Sequence, residues 1–322
     1  MIRTRGVELL SLLVPALAWA QAYPAKVVTI VVPFSAGGPT DTVTRLVGQA
    51  MSKALGGTVF VENVAGAGGT IGPSRAAKAT PDGHTLLLHH IGMATTMTLY
   101  RKPGYHSIDD FEPVGLVTDV PMTLIARKDF PAKDLNELIA YVKKNAGKVS
   151  YANAGVGAAS HLCGMLFMSA IRTDLTTVPY KGTGPAMNDL LGGQVDFMCD
   201  QTTNTTSQIK DGKVKVYGVT TRKSVPPLPD VPTMHEAGLP EFEVSIWHGL
   251  YAPKGTPRPV VDKLTAALQS ALKDPVVKQR FAELGTEPVD RDRATPAALR
   301  AHLKAEIDKW GPIIKAAGVY AD

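Results

Sequence analysis

Val32-Pro33-Phe34-Ser35-Ala36-Gly37-Gly38-Pro39-Thr40-Asp41 joins a short apolar run to the first residues of a helical pattern. Residues 27–32 read as a buried strand, and Val43, Leu46, Val47 and Ala50 recur at helical spacing, so the decapeptide is a strand-to-helix turn. Glycines in such a turn let the backbone approach a ligand closely, and the unpaired N–H groups of the helix start favour an anion. The pattern is neither G-x-G-x-x-G nor a loop ending in Lys-Ser/Thr, which argues against a nucleotide. Phe34, Ser35, Gly38 and Thr40 are the expected contacts here. Asp41 would repel a carboxylate, so it reads first as a cap or loop brace and second as a contact through water or a hydroxyl.

Outward from this turn, residues 59–63 and 86–90 read as further strands, which makes an α/β unit with largely parallel strands. A second unit follows: helix 134–144, strand 149–153, helix 160–172, strand 194–200, helix 204–210 and strand 214–220. The proline-rich residues 225–232 then leave it. Three helices come after, opened by Thr256-Pro257, Asp274-Pro275 and Thr295-Pro296, each read as an N-cap followed by proline in the first turn. They lack strands of their own, so they are expected to pack back on the first unit. The division is therefore residues 23–122 with 225–322 as a discontinuous first lobe and 123–224 as a second. Crossings near 121–127 and 217–222 would form a hinge, with a ligand cleft between the lobes.

The second unit repeats the opening motif. Asn153-Ala154-Gly155-Val156-Gly157-Ala158-Ala159-Ser160-His161 follows a strand and runs into a helix, so Asn153, Gly157, Ala158, Ser160 and His161 are expected at the cleft. Ser160 also suits a plain helix cap, and His161 a packed, hydrogen-bonded ring. His89-His90-Ile91-Gly92 ends another strand; neighbouring strand residues face opposite ways, and His90, with Gly92, is chosen as the inward one. Asp200-Gln201-Thr202-Thr203 ends a strand of the second unit, and Asp200 and Thr203 suit a ligand hydroxyl, amine or bridging water. Trp247 reads as core.

The chain of 322 residues is 44% hydrophobic and 20% charged, with a formal charge of +5 spread without basic runs, so nucleic acid binding has no support. Arg3 and Arg5 precede an apolar stretch ending in Ala18-Trp19-Ala20 and Ala20-Gln21-Ala22, a pattern of a secretory signal peptide over residues 1–22. It is shorter than the roughly 20 apolar residues of a membrane span. Cys163 and Cys199 lie in apolar surroundings and are expected as buried free thiols, although an exported chain permits a bridge. No metal-ligand spacing, G-x-S-x-G elbow, H-E-x-x-H or Walker motif is present, so neither a metal, a cofactor nor an enzyme is expected. The rival enzymatic reading is a hydrolase or lyase using His90, His161 and Asp200 as acid-base groups.

The ordered set Tyr23-Pro24, Val32-Pro33-Phe34, Gly37-Gly38, Thr40-Asp41, Val61-Glu62-Asn63, Gly66-Ala67-Gly68-Gly69, Pro81-Asp82-Gly83, Val178-Pro179-Tyr180-Lys181-Gly182 and Pro229-Asp230-Val231-Pro232-Thr233 resembles the Bug family of extracytoplasmic receptors of tripartite tricarboxylate transporters. The resemblance covers essentially all of the chain beyond residue 22. It implies a type II periplasmic binding fold of two lobes, a periplasmic location, and a carboxylate held by main-chain N–H groups, hydroxyls and waters from residues 34–41 and 153–161. It also implies membrane components of a transporter as partners; the rival reading is a module that presents its ligand to a sensor protein, and the chain is expected to be a monomer. Ala158, Ala159, His84 and His89-His90 depart from the family pattern. An added imidazole suits a di- or tricarboxylate, and Phe34 a flat one of the terephthalate type.

Overall fold

The computed structural model describes residues 23–321. The proposed signal peptide, residues 1–22, lies outside them. Strand β1 (Val28–Val32) runs parallel to β2 (Val59–Asn63) and β3 (Thr85–His90). Helix α1 (Pro39–Leu55) begins after an extended Gly38, with Pro39 in its first turn, and ends at Gly56 in the left-handed conformation. Two short helices, α2 (Ile71–Ala77) and α3 (Gly92–Leu99), flank β3.

The 17-residue strand β4 (Phe111–Arg127) links the two halves of the molecule. From Phe111 to Pro121 it pairs antiparallel with β9 (Ser245–Pro253), which pairs in turn with β3. From Met122 onward it pairs with β7 (Phe197–Gln201) and β8 (Val214–Val219). The second sheet is completed by β5 (Ser150–Asn153), parallel to β6 (Thr176–Pro179) and to β7. Helices α4 (Leu135–Lys144), α5 (Ala159–Ile171), α6 (Thr183–Leu191) and α7 (Thr202–Lys210) belong to this half. Both sheets are mixed, against the expectation of largely parallel strands. The long apolar run of β4 feeds both, and β9 returns beside it as an antiparallel neighbour.

The chain passes between the sheets at Pro121 and Met122 in β4 and again after β8. There the Met122 N–H donates to Thr220 Oγ1, and the Thr220 hydroxyl donates to the Val244 carbonyl. Helix α8 (Arg258–Ala271) packs on α1, and α10 (Pro296–Ala317) packs on α3 and β4; α9 (Pro275–Glu283) and the two-residue strand β10 (Glu287–Pro288), which pairs with β4, lie between them in sequence. Asp274 and Thr295 cap as expected, accepting from the N–H groups of Val276 and Ala298. Thr256 does not. Pro257 takes the cap position of α8, and the Thr256 hydroxyl turns back to the Pro253 carbonyl.

Phe111, Tyr251, Tyr151, Phe197 and Phe281 are fully buried, each side chain stabilising the fold by roughly 1.5–3 kcal/mol. Trp247 is core as well, its indole N–H donating to Glu306. The expectation of free thiols is overturned: Cys163 and Cys199 form a disulfide, with Cα atoms 6.0 Å apart. Helix α5 packs across β7 and carries Cys163 onto Cys199, a proximity that apolar surroundings alone do not reveal. Among the described residues no helix is long and apolar enough to cross a membrane.

Candidate ligand-binding site

Where the two sheets face each other, a small cavity is lined by Phe34, Gly38, Pro39, Thr40, His90, Ala154, Ala159, Ser160, Thr183, Asp200 and Gln201. Four helices start on it: α1 at Gly38, α5 at Ala158, α6 at Gly182 and α7 at Gln201. First-turn N–H groups have no acceptor inside their own helix and carry the positive end of its dipole. Four such ends around one space, with neither lysine nor arginine in the lining, give the cavity backbone donors and a field that suit an anion.

The loop amides themselves are largely taken, which corrects the expectation that both turns present them to a guest. Ser35 N–H donates to the Lys181 carbonyl across the cleft, and Gly37 N–H to Asp41 Oδ2. In the second turn Ala154 N–H donates to Ser160 Oγ, Gly155 N–H to Asn153 Oδ1, Gly157 N–H to His161 Nδ1 and Ala158 N–H to the Gly155 carbonyl. Tight turns satisfy their own donors first. On the cavity wall itself stand the first-turn amides of Thr40 in α1 and of Ala159 and Ser160 in α5, which have no acceptor within their own helix.

Of the residues expected at the cleft, the structure brings Phe34, Gly38, Thr40, His90, Ser160 and Asp200 to the cavity wall. Ser35, Asp41, Gly92, Asn153, Gly157, Ala158, His161 and Thr203 are outside the lining. Asp41 is a brace: its carboxylate also accepts from Arg45 and from Asn63 Nδ2, which in turn donates to the Phe34 carbonyl. Burial alone would raise its pKa, but these hydrogen bonds outweigh it and hold Asp41 below the usual carboxylate value. Gly92 N–H donates to His90 Nδ1. Thr203 Oγ1 is buried without a hydrogen bond.

His90 N–H donates to His89 Nδ1, and His90 Nδ1 accepts from Gly92, so each neutral ring carries its proton on Nε2. Burial, reinforced by neighbouring imidazoles, pushes His89 down to about 3 and His90 well below the ordinary histidine value; burial takes His248 down to about 4. The wall is therefore uncharged, and His90 offers it a neutral N–H donor. Phe34 stacks on His90 with centroids 4.8 Å apart and packs against Ala154 and Ala158. Gly69, at φ 93°, is required behind it, since a Cβ there would stand 2.7 Å from the Phe34 ring.

On the opposite wall, burial raises the Asp200 carboxyl to about 6 despite hydrogen bonds from Asn204 Nδ2 and Gln201 N–H. Gln201 Oε1 beside it is buried without a partner, a further acceptor in the lining. Thr183, Gln201, Pro39, Ala154 and Ala159 were not chosen from sequence. Thr183 follows Lys181-Gly182 at a helix start, the same signal as in the two chosen turns. The acid-base reading needs His90, His161 and Asp200 together, and His161 instead turns to Gly157 N–H outside the lining. Among the described residues no group of three or more His, Cys, Asp or Glu is placed to hold a metal ion.

Residues 43–319 match the family described as the tripartite tricarboxylate transporter family receptor. The chain belongs to this family. Receptors of the family are periplasmic solute-binding proteins, not enzymes. This receptor's fold matches the periplasmic binding protein BugD with a TM-score of 0.91 at 57% identity, over 92% of this chain and 99% of that one. It matches MatC from Rhodopseudomonas palustris with bound malate at 0.88 and 44% identity, over 91% and 100% of the two chains. An R. palustris protein with adipate gives 0.87 and 33%, over 92% and 99%. The two-lobed periplasmic binding fold and the likeness to Bug receptors are thereby established.

Proposed function

We propose that this receptor captures a small aliphatic di- or tricarboxylate between residues 23–122 with 225–322 on one side and residues 123–224 on the other. The closed form is then presented to the membrane components of a tripartite tricarboxylate-type transporter. The observation that carries the reading is the convergence of four helix N-termini on a cavity without a basic side chain. Amides at Thr40, Ala159 and Ser160, with the hydroxyls of Thr40 and Ser160, would hold one carboxylate. The His90 Nε2–H would meet the second. Asp200 and Gln201 Oε1, both acceptors, suit a hydroxyl or amine on the carbon chain between them.

Ligands of this kind are the malate and adipate in the similar structures. A flat aromatic diacid fits less well, because Phe34 is already covered by His90 and by Ala154 and Ala158. No bond is made or broken; the ligand shifts the population toward the closed form. Micromolar affinity, about 8 kcal/mol, would suit a receptor that must release its cargo. Calorimetric titration with malate, succinate, adipate and terephthalate tests the class. Replacing one carboxylate by its neutral amide should remove most of the binding, and an amide bound as well as the acid would overturn carboxylate capture.

A further inference from the structure

Around the cavity the two walls approach closely enough for main-chain groups to be hydrogen-bonded across the cleft. Ser35 N–H donates to the Lys181 carbonyl at 3.0 Å, and Tyr100 Oη donates to the Val156 carbonyl at 2.9 Å. At these contacts both sides carry glycine. A Cβ on Gly182 would lie 3.0 Å from Ser35 N, one on Gly155 would lie 2.9 Å from the Gly68 Cα, and one on Gly68 would collide with the Val156 carbonyl. Gly184 is the most informative of them. It is the second residue of α6, at ordinary helical dihedrals, yet its missing side chain would stand 2.8 Å from the Ala36 carbonyl oxygen and 3.1 Å from the Gly37 carbonyl carbon. All of these atoms belong to the opposite wall.

Nothing in α6 itself calls for glycine at this place, since alanine is the better helix former and the position is free of a left-handed φ. The requirement comes from across the cleft. We propose that a seam of glycines sets how far this receptor can close, and that Gly184 is its positioning residue, its lack of a side chain seating Thr183 and the start of α6 on the ligand. The proposal rests on the protein being a receptor that closes over a guest. The seam admits backbone to backbone, so a single methyl group there wedges the lobes apart while leaving each lobe intact.

The test uses the full mature chain with Ser35→Cys and Lys181→Cys joined by a short bismaleimide, whose rate of bridging reads closure with no ligand added. Gly184→Ala should slow bridging at least about tenfold, as overpacking of a tight contact implies, and should weaken binding of malate, the probe, by a similar factor. Its melting temperature should stay at or above that of the parent. Gly192→Ala, at the other end of α6, should change neither rate nor affinity. Gly38→Ala approaches the seam from the opposite wall, its Cβ 3.4 Å from Gly184 N, and should slow bridging by less. Bridging of Gly184→Ala at the parental rate would overturn the seam. If malate binds neither protein while bridging still slows, the carboxylate reading fails and the seam stands.

Discussion

Asp41 and Asp200 occupy comparable places on the two walls, each beside the first turn of a helix that points at the cavity, and their surroundings pull them in opposite directions. Asp41 is clasped by Arg45, Asn63 and the Gly37 N–H and stays ionised outside the lining. Asp200 has amide donors but no cation, faces the cavity, and is raised to about 6. The rest of each wall follows suit. The first brings Phe34 and His90 to the cavity beside Gly38, Pro39 and Thr40, with His89 and His248 packed against those rings and all three imidazoles kept neutral by burial. The second is made of hydroxyls and acceptors, stapled from behind by the Cys163–Cys199 disulfide. On the proposed reading, one wall would supply shape and neutral donors, and the other the groups that distinguish one carboxylate from another.

The largest expected difference between the walls appears in acid. A histidine held below its ordinary value is neutral in the fold but takes up a proton in the unfolded chain, so its contribution is full above about pH 6.5 and is lost as pH falls toward the folded value. Each such ring costs about 1.4 kcal/mol per pH unit in that window. The three rings of the first wall, lowered to about 3, well below ordinary and about 4, act together. Stability should therefore fall by several kcal/mol as pH drops from about 6.5 toward about 4, by far the largest effect expected here. Asp200, raised to about 6, works the other way in the same range and offsets part of this. Denaturant unfolding at about pH 7.5 and about pH 4.5 measures the sum, and equal midpoints would break the contrast.

The second wall should respond to reductant instead. A bridge between residues 36 apart in sequence restricts the unfolded chain by about 3–4 kcal/mol. Reduction, or Cys163→Ala with Cys199→Ala, should lower the unfolding free energy by that amount and leave a fold that still closes on ligand. An unchanged melting temperature under reductant would mean that α5 and β7 need no staple.

These two regions were not equally readable from sequence. The turn at residues 34–41 announced itself through its glycines, its proline in the first helical turn and the apolar run before it, and the structure puts Phe34, Gly38 and Thr40 on the cavity. The second wall was read from residues 153–161 and from Asp200 and Thr203, while Thr183 and Gln201, at the starts of α6 and α7, were passed over. Thr183 and Gln201 carry no chemical mark of their own; what selects them is which helix starts converge, a property of strand order. The same holds for the bridge, since Cys163 and Cys199 meet only because α5 crosses β7. The amides were misjudged for a local reason: Asp41, Asn153, Ser160 and His161 lie close enough in sequence to take them first.

Asp200→Asn sharpens the division of labour. If Asp200 accepts from a hydroxyl on the ligand, malate should lose about tenfold in affinity, the order expected for a hydrogen bond to a charged group. Succinate, which lacks the hydroxyl, should change little or gain slightly from the loss of a nearby negative charge. Calorimetry with both acids decides it, and equal losses would place Asp200 in a supporting role only.

The smallest effect should come from the corresponding change on the first wall. Asp41→Asn keeps an oxygen for one donor but releases Arg45, which is half exposed, so the ion pair is largely screened and the loss should be about 1 kcal/mol of stability. Because the Asp41 pKa is lowered in the fold, that contribution is present above the ordinary carboxylate value and disappears as pH falls below it. Malate affinity should stay within about twofold. A variant as stable as the parent that nevertheless loses malate by tenfold or more would move Asp41 from brace to ligand contact. The two acids would then no longer divide support from selection between the walls.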